Sequence, residues 1–196
     1  MSLVQLKKKL PLCFLFGLIL IHNGYISGAE NIEFGFGTRG GIQQVYFDDA
    51  GSSFKIKRQD GYGFNFYGES VFYKYAGVQI ELPGYYYCSN SNTSGGYYYP
   101  ERVEIPWSAG IKGVLPFSSG RVFINMGYSF PYVMTFSYYF PRRVLSGLTA
   151  EIGGDIFIQD KKITLGAGLK YVYFFDNSSD RYFSLYYLLS IGYRVF

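Results

Sequence analysis

The last fourteen residues, Phe183-Ser-Leu-Tyr-Tyr-Leu-Leu-Ser-Ile-Gly-Tyr-Arg-Val-Phe196, decide how the rest of the chain is read. Phe183, Leu185, Tyr187, Leu189, Ile191, Tyr193 and Val195 fall on one side of a period-two pattern; Ser184, Tyr186, Leu188, Ser190, Gly192 and Arg194 fall on the other. Side chains of an extended strand alternate between faces, so this is one strand with an unbroken apolar side. A tilted strand needs only about 9–11 residues to cross a bilayer. The segment is long enough, and greasy enough on one face, to do so.

The other end of the chain carries an export signal. Lys7, Lys8 and Lys9 form a basic region, Leu10 to Ile21 an apolar stretch of twelve residues, and Ser27-Gly28-Ala29 a small-x-small cleavage site. Twelve apolar residues are too few for a membrane helix, which needs about 20, so residues 1–29 read as a cleaved signal peptide and 30–196 as the mature domain. Cys13 lies inside the apolar stretch rather than after it, which argues against lipidation.

Cleavage removes three of the 18 Lys+Arg and none of the 14 Asp+Glu, which leaves a mature net charge of +1. A nucleic-acid interface would need a basic stripe, and none is present. Cleavage also removes the only histidine, His22, and leaves Cys88 as the lone cysteine, so an intramolecular disulfide is impossible. Small soluble secreted domains usually depend on disulfides. A barrel closed on itself does not, because its backbone hydrogen bonds are satisfied all round.

Working back from Phe183, the alternation recurs. Ile163 to Phe175 places Leu165, Ala167, Leu169 and Tyr171 opposite Thr164, Gly166, Gly168 and Lys170. Leu148 to Gln159, Arg121 to Phe130, Val103 to Lys112, Val78 to Leu82, Tyr62 to Glu69 and Ile32 to Arg39 follow the same rule. Short joins fall near Lys74–Ala76, Ser118–Gly120 and Gln159–Lys162; longer stretches near Asp48–Asp60, Ser89–Glu101, Pro131–Ser146 and Asp176–Asp180. Short and long alternate, as when one rim carries tight turns and the other outer loops. The expectation is an all-β fold: an eight-stranded antiparallel up-and-down transmembrane β-barrel in one domain. Sixteen strands of about 10 residues would leave no room for turns.

Period two does not say which face points out, and a soluble barrel with a ligand in its core has the same pattern. Three features favour an apolar exterior. Gly, Ser, Asn and Thr dominate the polar face, isolated charges sit in mid-strand, and aromatics gather at segment ends (Tyr85–Tyr87, Tyr97–Tyr99, Tyr138–Phe140, Tyr171–Phe175), where interfacial girdles would lie. The interior then holds Glu33, Glu69, Glu81, Glu104, Glu151 and Asp155 with Arg39, Lys112, Arg121, Lys170 and Arg194. An eight-stranded interior is just wide enough for side chains to fill it, so these charges must pair. Glu104, Lys112, Arg121, Glu151, Asp155, Lys170 and Arg194 are the candidate lumen cluster, with Glu151 and Asp155 set against Lys170 on the next strand. A filled, non-conducting interior is expected; the alternative is a narrow channel for small or hydrophobic solutes.

The signal peptide, the eight alternating segments, Gly166-Ala-Gly168 and the ending Ile191-Gly-Tyr-Arg-Val-Phe196 resemble the small bacterial outer-membrane barrels of the OmpA/OmpX type. The resemblance covers residues 30–196 and is architectural; only the ending is motif-like. It implies residence in the bacterial outer membrane among outer-membrane lipids, as a monomer, after insertion by the barrel-assembly machinery. In the usual ending the terminal Phe is in phase with the outward residues. Here Val195 intervenes, so Phe196 is out of phase with Ile191 and Tyr193, and either a bend or a bulge resets it.

Barrels of this size that act as enzymes depend on a histidine base, and none survives cleavage, so no catalytic residue, cofactor or metal is expected. Gly35-Phe-Gly37-Thr-Arg-Gly40 matches GxGxxG in letters but lies within a strand, without the βαβ context the dinucleotide motif needs. Asn92-Thr-Ser94 and Asn177-Ser-Ser179 match glycosylation sequons by chance in polar loops, and Asp176 with Asp180 offers fewer oxygens than calcium requires. Cys88 has no charged neighbour to activate it. Loop Ser89–Glu101 joins Ser, Asn and Gly to Tyr97, Tyr98 and Tyr99, a mixture suited to binding an extracellular surface ligand. The same tyrosines also suit the outer girdle. A structural or surface-interaction role, adhesin-like and carried by the outer loops, is the expectation.

Overall fold

A computed structural model describes residues 32–48, 57–89, 91–92, 98–99, 101–135, 143–175 and 181–195. The signal-peptide assignment, Tyr97, Tyr138–Phe140, Asp176–Asp180 and the phase of Phe196 lie outside the described residues.

Eight strands form the wall. They are β1 (Ile32–Asp48), β2 (Lys57–Phe72) and β3 (Ala76–Cys88); β4, in two pieces (Arg102–Ile105 and Ser108–Phe117); β5, also in two (Gly120–Ser129 and Tyr132–Thr135); β6 (Arg143–Val144 and Gly147–Ile158); β7 (Ile163–Phe174) and β8 (Arg181–Val195). Each pairs antiparallel with the next, and β8 returns to β1 from Phe34↔Val195 to Asp48↔Arg181, which closes the circle. Closure leaves no edge strand, so the backbone polar groups satisfy one another within the wall.

The short joins fall where the sequence puts them. Tyr73–Tyr75, Ser118–Ser119 and Gln159–Lys162 are turns at one rim. Tyr73 and Lys74 both have positive φ (51° and 67°), and Tyr75 N donates to Phe72 O. Asp160 and Lys161 repeat this (54° and 68°), with Lys162 N donating to Gln159 O. Two successive left-handed residues inside a four-residue turn are the hairpin geometry that matches strand twist.

The wall is inverted relative to a soluble barrel. Ile111, Ile124, Met126, Ile152, Leu189 and Ile191 are exposed on the outside, Leu189 by 71%, while Lys112, Asn125, Glu151 and Arg194 are buried within. The chain is an eight-stranded antiparallel up-and-down transmembrane β-barrel.

Two segments differ from the sequence reading. In β3 the register with β2 shifts between Phe64 and Phe66, where Phe64 faces Tyr85 and Phe66 faces Leu82. The extra residue at Pro83–Gly84 flips the phase, so Gln79 and Glu81 face inward below it and Tyr86 and Cys88 above it. Tyr86 is therefore a lumen residue, not part of a girdle. The stretch Pro131–Ser146, read as a long loop, contains the upper pieces of β5 and β6, held by Glu104↔Val133 and Val144↔Tyr132.

Candidate functional site: the filled lumen and its outer mouth

The inward positions are built by alternation, broken once at Pro83–Gly84, and the charges they carry meet across the lumen. Near the short-turn rim Arg194 pairs with Glu33 and lies 3.9 Å from the Phe157 ring. Arg121 Nε donates to Asp155 Oδ2 at 2.7 Å, and its Nη2 pairs with Glu69. Lys112 Nζ donates to Glu69 Oε2 at 2.6 Å and to Gln79 Oε1 at 3.2 Å, over the Phe123 ring at 3.7 Å.

At mid-height Arg39 Nη1 reaches Glu151 Oε1 at 2.8 Å and Glu81 Oε1 at 3.4 Å. Gln79 Nε2 donates to the other Glu151 oxygen at 3.2 Å. Glu81 also accepts from Ser108 Oγ at 2.6 Å and from Lys170 Nζ. The expected Glu151–Asp155–Lys170 cluster takes a different form. Glu151 and Lys170 are opposite in register, yet their ion pairs run to Arg39 and Glu81, and that of Asp155 to Arg121. The lumen is narrow enough for a long side chain to cross it, so the opposite wall competes with the adjacent strand.

Toward the outer rim Glu104, wholly buried, accepts from Gln43 Nε2 at 2.8 Å, from Arg102 Nη2 at 3.2 Å and from Tyr186 Oη. Cys88 Sγ donates to Gln43 Oε1 at 3.4 Å, which makes it a packed thiol. Arg102 supplies a sixth lumen cation against six acids. The sequence reading missed it by starting this segment at Val103. It also missed Gln43, which continues the inward phase of Arg39 at four residues' distance.

The lumen has apolar contents as well. At the long-loop end Val45, Val133, Leu145, Val172 and Phe174 point inward with Tyr86 and Tyr186 into one buried cluster, which Leu188 extends to mid-height. Near the short turns Val71, Val114 and Phe123 form a second. Between them the void beside Arg39, Tyr67, Lys112 and Glu151 measures about 10 Å³, room for about one water. Arg39, Glu81, Glu151 and Lys170 thus lie between the two apolar clusters, while Arg121–Asp155 and Arg194–Glu33 lie nearer the short-turn rim. Of the loop tyrosines, Tyr98 and Tyr99 pair in a two-residue ladder with Asn92 and Ser91; Tyr97 and the side chains of Tyr98 and Tyr99 lie outside the described residues. Among the described residues no group of three or more His, Cys, Asp or Glu could hold a metal ion.

No protein-family model matches the sequence, and no curated protein matches it. Solved structures match the fold. Neisserial surface protein A is 13% identical, with a TM-score of 0.57 over 83% of this chain and 96% of that one. The attachment invasion locus protein of Yersinia pestis, solved with the heparin analogue sucrose octasulfate, is 13% identical, with a TM-score of 0.50 over 83% and 99%. In both, the likeness spans nearly the whole solved chain. The chain has the fold of the small eight-stranded outer-membrane β-barrels.

Proposed function

We propose that this chain is a plugged, non-enzymatic barrel of the bacterial outer membrane, which interacts with surface partners through its outer loops. The reading includes a cleaved signal peptide, insertion by the barrel-assembly machinery and a monomer among outer-membrane lipids. One observation carries it: the lumen is crossed by paired charges from the short-turn rim to beyond mid-height, apolar side chains pack among and above them, and the mid-height void is about 10 Å³. A hydrated ion cannot pass such a core without separating buried ion pairs at a cost of several kcal/mol each. An interior so filled leaves the loops as the surface offered to the outside. The names of two proteins of this fold, an attachment invasion locus protein and a surface protein, agree with that reading; at 13% identity they lend it the fold alone.

Two experiments test it. Purified barrel inserted into planar bilayers should show no stable openings; frequent, long-lived conductance steps would replace the plug with the narrow-channel reading. Replacing residues 93–97 by a Gly-Ser linker, and Tyr98 and Tyr99 by Ser, should abolish attachment of expressing cells to their target surface. The heat-modifiable gel mobility of the folded barrel should not change. Unaltered attachment would remove the tyrosine loop from the reading.

A further inference from the structure

The backbone ladder is not equally continuous around the barrel. On one side β8 pairs with β1 over its described length, and β7 with β8 from Ile163↔Tyr193 to Phe174↔Tyr182, without a break. On the other side every ladder from β3 to β6 is interrupted at one height. β3 and β4 pair at Glu81↔Ser108 and resume only at Tyr86↔Glu104. β4 and β5 stop at Ser108↔Ser129 and resume at Ile105↔Tyr132. β5 and β6 stop at Ser129↔Gly147 and resume at Tyr132↔Val144.

Pro83, Pro106 and Pro131 sit in these gaps on three adjacent strands, and proline has no N–H to donate. Single bonds bridge the crease, Phe130 N to Trp107 O at 2.9 Å and Leu145 N to Pro131 O at 3.0 Å. Trp107 stacks on Phe130 at the same height, beside the exposed ring of Tyr128, an arrangement fit for the outer bilayer interface. Backbone gaps are tolerable at that level, where water is at hand, and not in hydrocarbon.

We propose that Arg102–Ile105, Tyr132–Thr135 and Arg143–Val144 form a three-strand flap that hinges at this crease to cover and uncover the outer mouth. Its inward side chains close the lumen. Val133 joins the apolar cluster with Val45, Val172 and Phe174, next to Leu145 in the crease. Glu104 is the latch, reaching from the flap to Gln43 on β1 and Tyr186 on β8. Only the outer mouth opens. The charge network at mid-height lies below the crease, so the flap moves whether or not the barrel conducts.

Cys88 supplies a native reporter, since it is buried, lies in register beside Arg102 of the flap and is the only cysteine after signal cleavage. In lipid vesicles a small water-soluble maleimide should alkylate folded Cys88 far faster than the barrel unfolds. Glu104→Gln, which removes the charged latch, should raise that rate about tenfold. Asn125→Cys in a Cys88→Ser background, buried below the crease, should stay unreactive. Should a variant fail to fold, hydrogen exchange of the unaltered protein decides. Amides of Val103–Ile105 and Val133–Met134 should exchange together, and sooner than those of Ser184–Tyr187 across the mouth. Equal protection on both sides, Cys88 alkylation only at the global unfolding rate, or equal reactivity at positions 88 and 125 would overturn the hinge.

Discussion

Arg39→Met is the most informative single perturbation of the lumen. Arg39 is 4% exposed and reaches two carboxylates at once, Glu151 at 2.8 Å and Glu81 at 3.4 Å, with its guanidinium 4.5 Å from the Tyr67 ring. Methionine keeps most of the length and apolar bulk and removes the charge. Glu81 is then still held by Lys170 and Ser108, whereas Glu151 keeps only the Gln79 amide at 3.2 Å. The loss concentrates on one buried carboxylate, and removing one partner of a buried pair costs about 3–5 kcal/mol. The double variant Arg39→Met/Glu151→Gln removes the stranded charge, so most of that cost should return, with a coupling of about 2 kcal/mol or more. The assay is reversible urea unfolding in lipid vesicles, with the folded fraction read from heat-modifiable gel mobility. The exposed pair Arg58–Asp60, at 3.1 Å, is the control, and Arg58→Ala should shift stability by less than about 1 kcal/mol. An Arg39→Met loss below about 1 kcal/mol, or strictly additive single variants, would refute the claim that the lumen charges are locked as pairs.

Three further outcomes follow from the wall. Converting the Asp160-Lys161 turn to Asn-Gly should stabilise the barrel by about 1 kcal/mol or more in the same assay, because both positions have positive φ and carry residues that pay for it. Gly41→Val should prevent folding, since a β-carbon there would lie 1.8 Å from the Tyr187 carbonyl oxygen; Gly154→Ala, with 3.3 Å to the Arg121 oxygen, should fold, as read by gel mobility. Ile152→Arg, at an exposed mid-strand position, should destabilise the vesicle-inserted barrel by about 2–4 kcal/mol and leave its detergent-folded form far less affected.

The fold was legible because outward residues of a membrane barrel have to be apolar and β8 obeys this from Phe183 to Val195. β1 obeys it less plainly. Beyond Arg39 its outward positions include Gly40 and Gln44 and its inward ones Val45, which packs in the mouth cluster, so polarity stops marking the face. Tyr86 was misplaced for a different reason: one extra residue at Pro83–Gly84 reverses every assignment above it. The Pro-Gly pair was the available signal. The upper pieces of β5 and β6 were hidden by their shortness and by Pro131; the β5 piece became a strand through pairing to Arg102–Ile105, a non-local contact, and the β6 piece through pairing to the β5 piece. Which residues face the lumen could thus be read from period two. Which partners they choose could not, because partner choice depends on reach across the lumen, as Lys170 with Glu81 shows.

The polarity of the wall is tested most directly along β8. Spin labels placed singly from Ser184 to Val195, in a Cys88→Ser background in lipid bilayers, report contact with oxygen dissolved in hydrocarbon and with a water-soluble nickel complex. Odd positions within the membrane band (Leu185, Tyr187, Leu189, Ile191) should be open to oxygen, and the even positions Tyr186, Leu188 and Ser190 closed to both reagents. The reverse phase, or nickel access along the even positions, would contradict an apolar exterior around a filled interior.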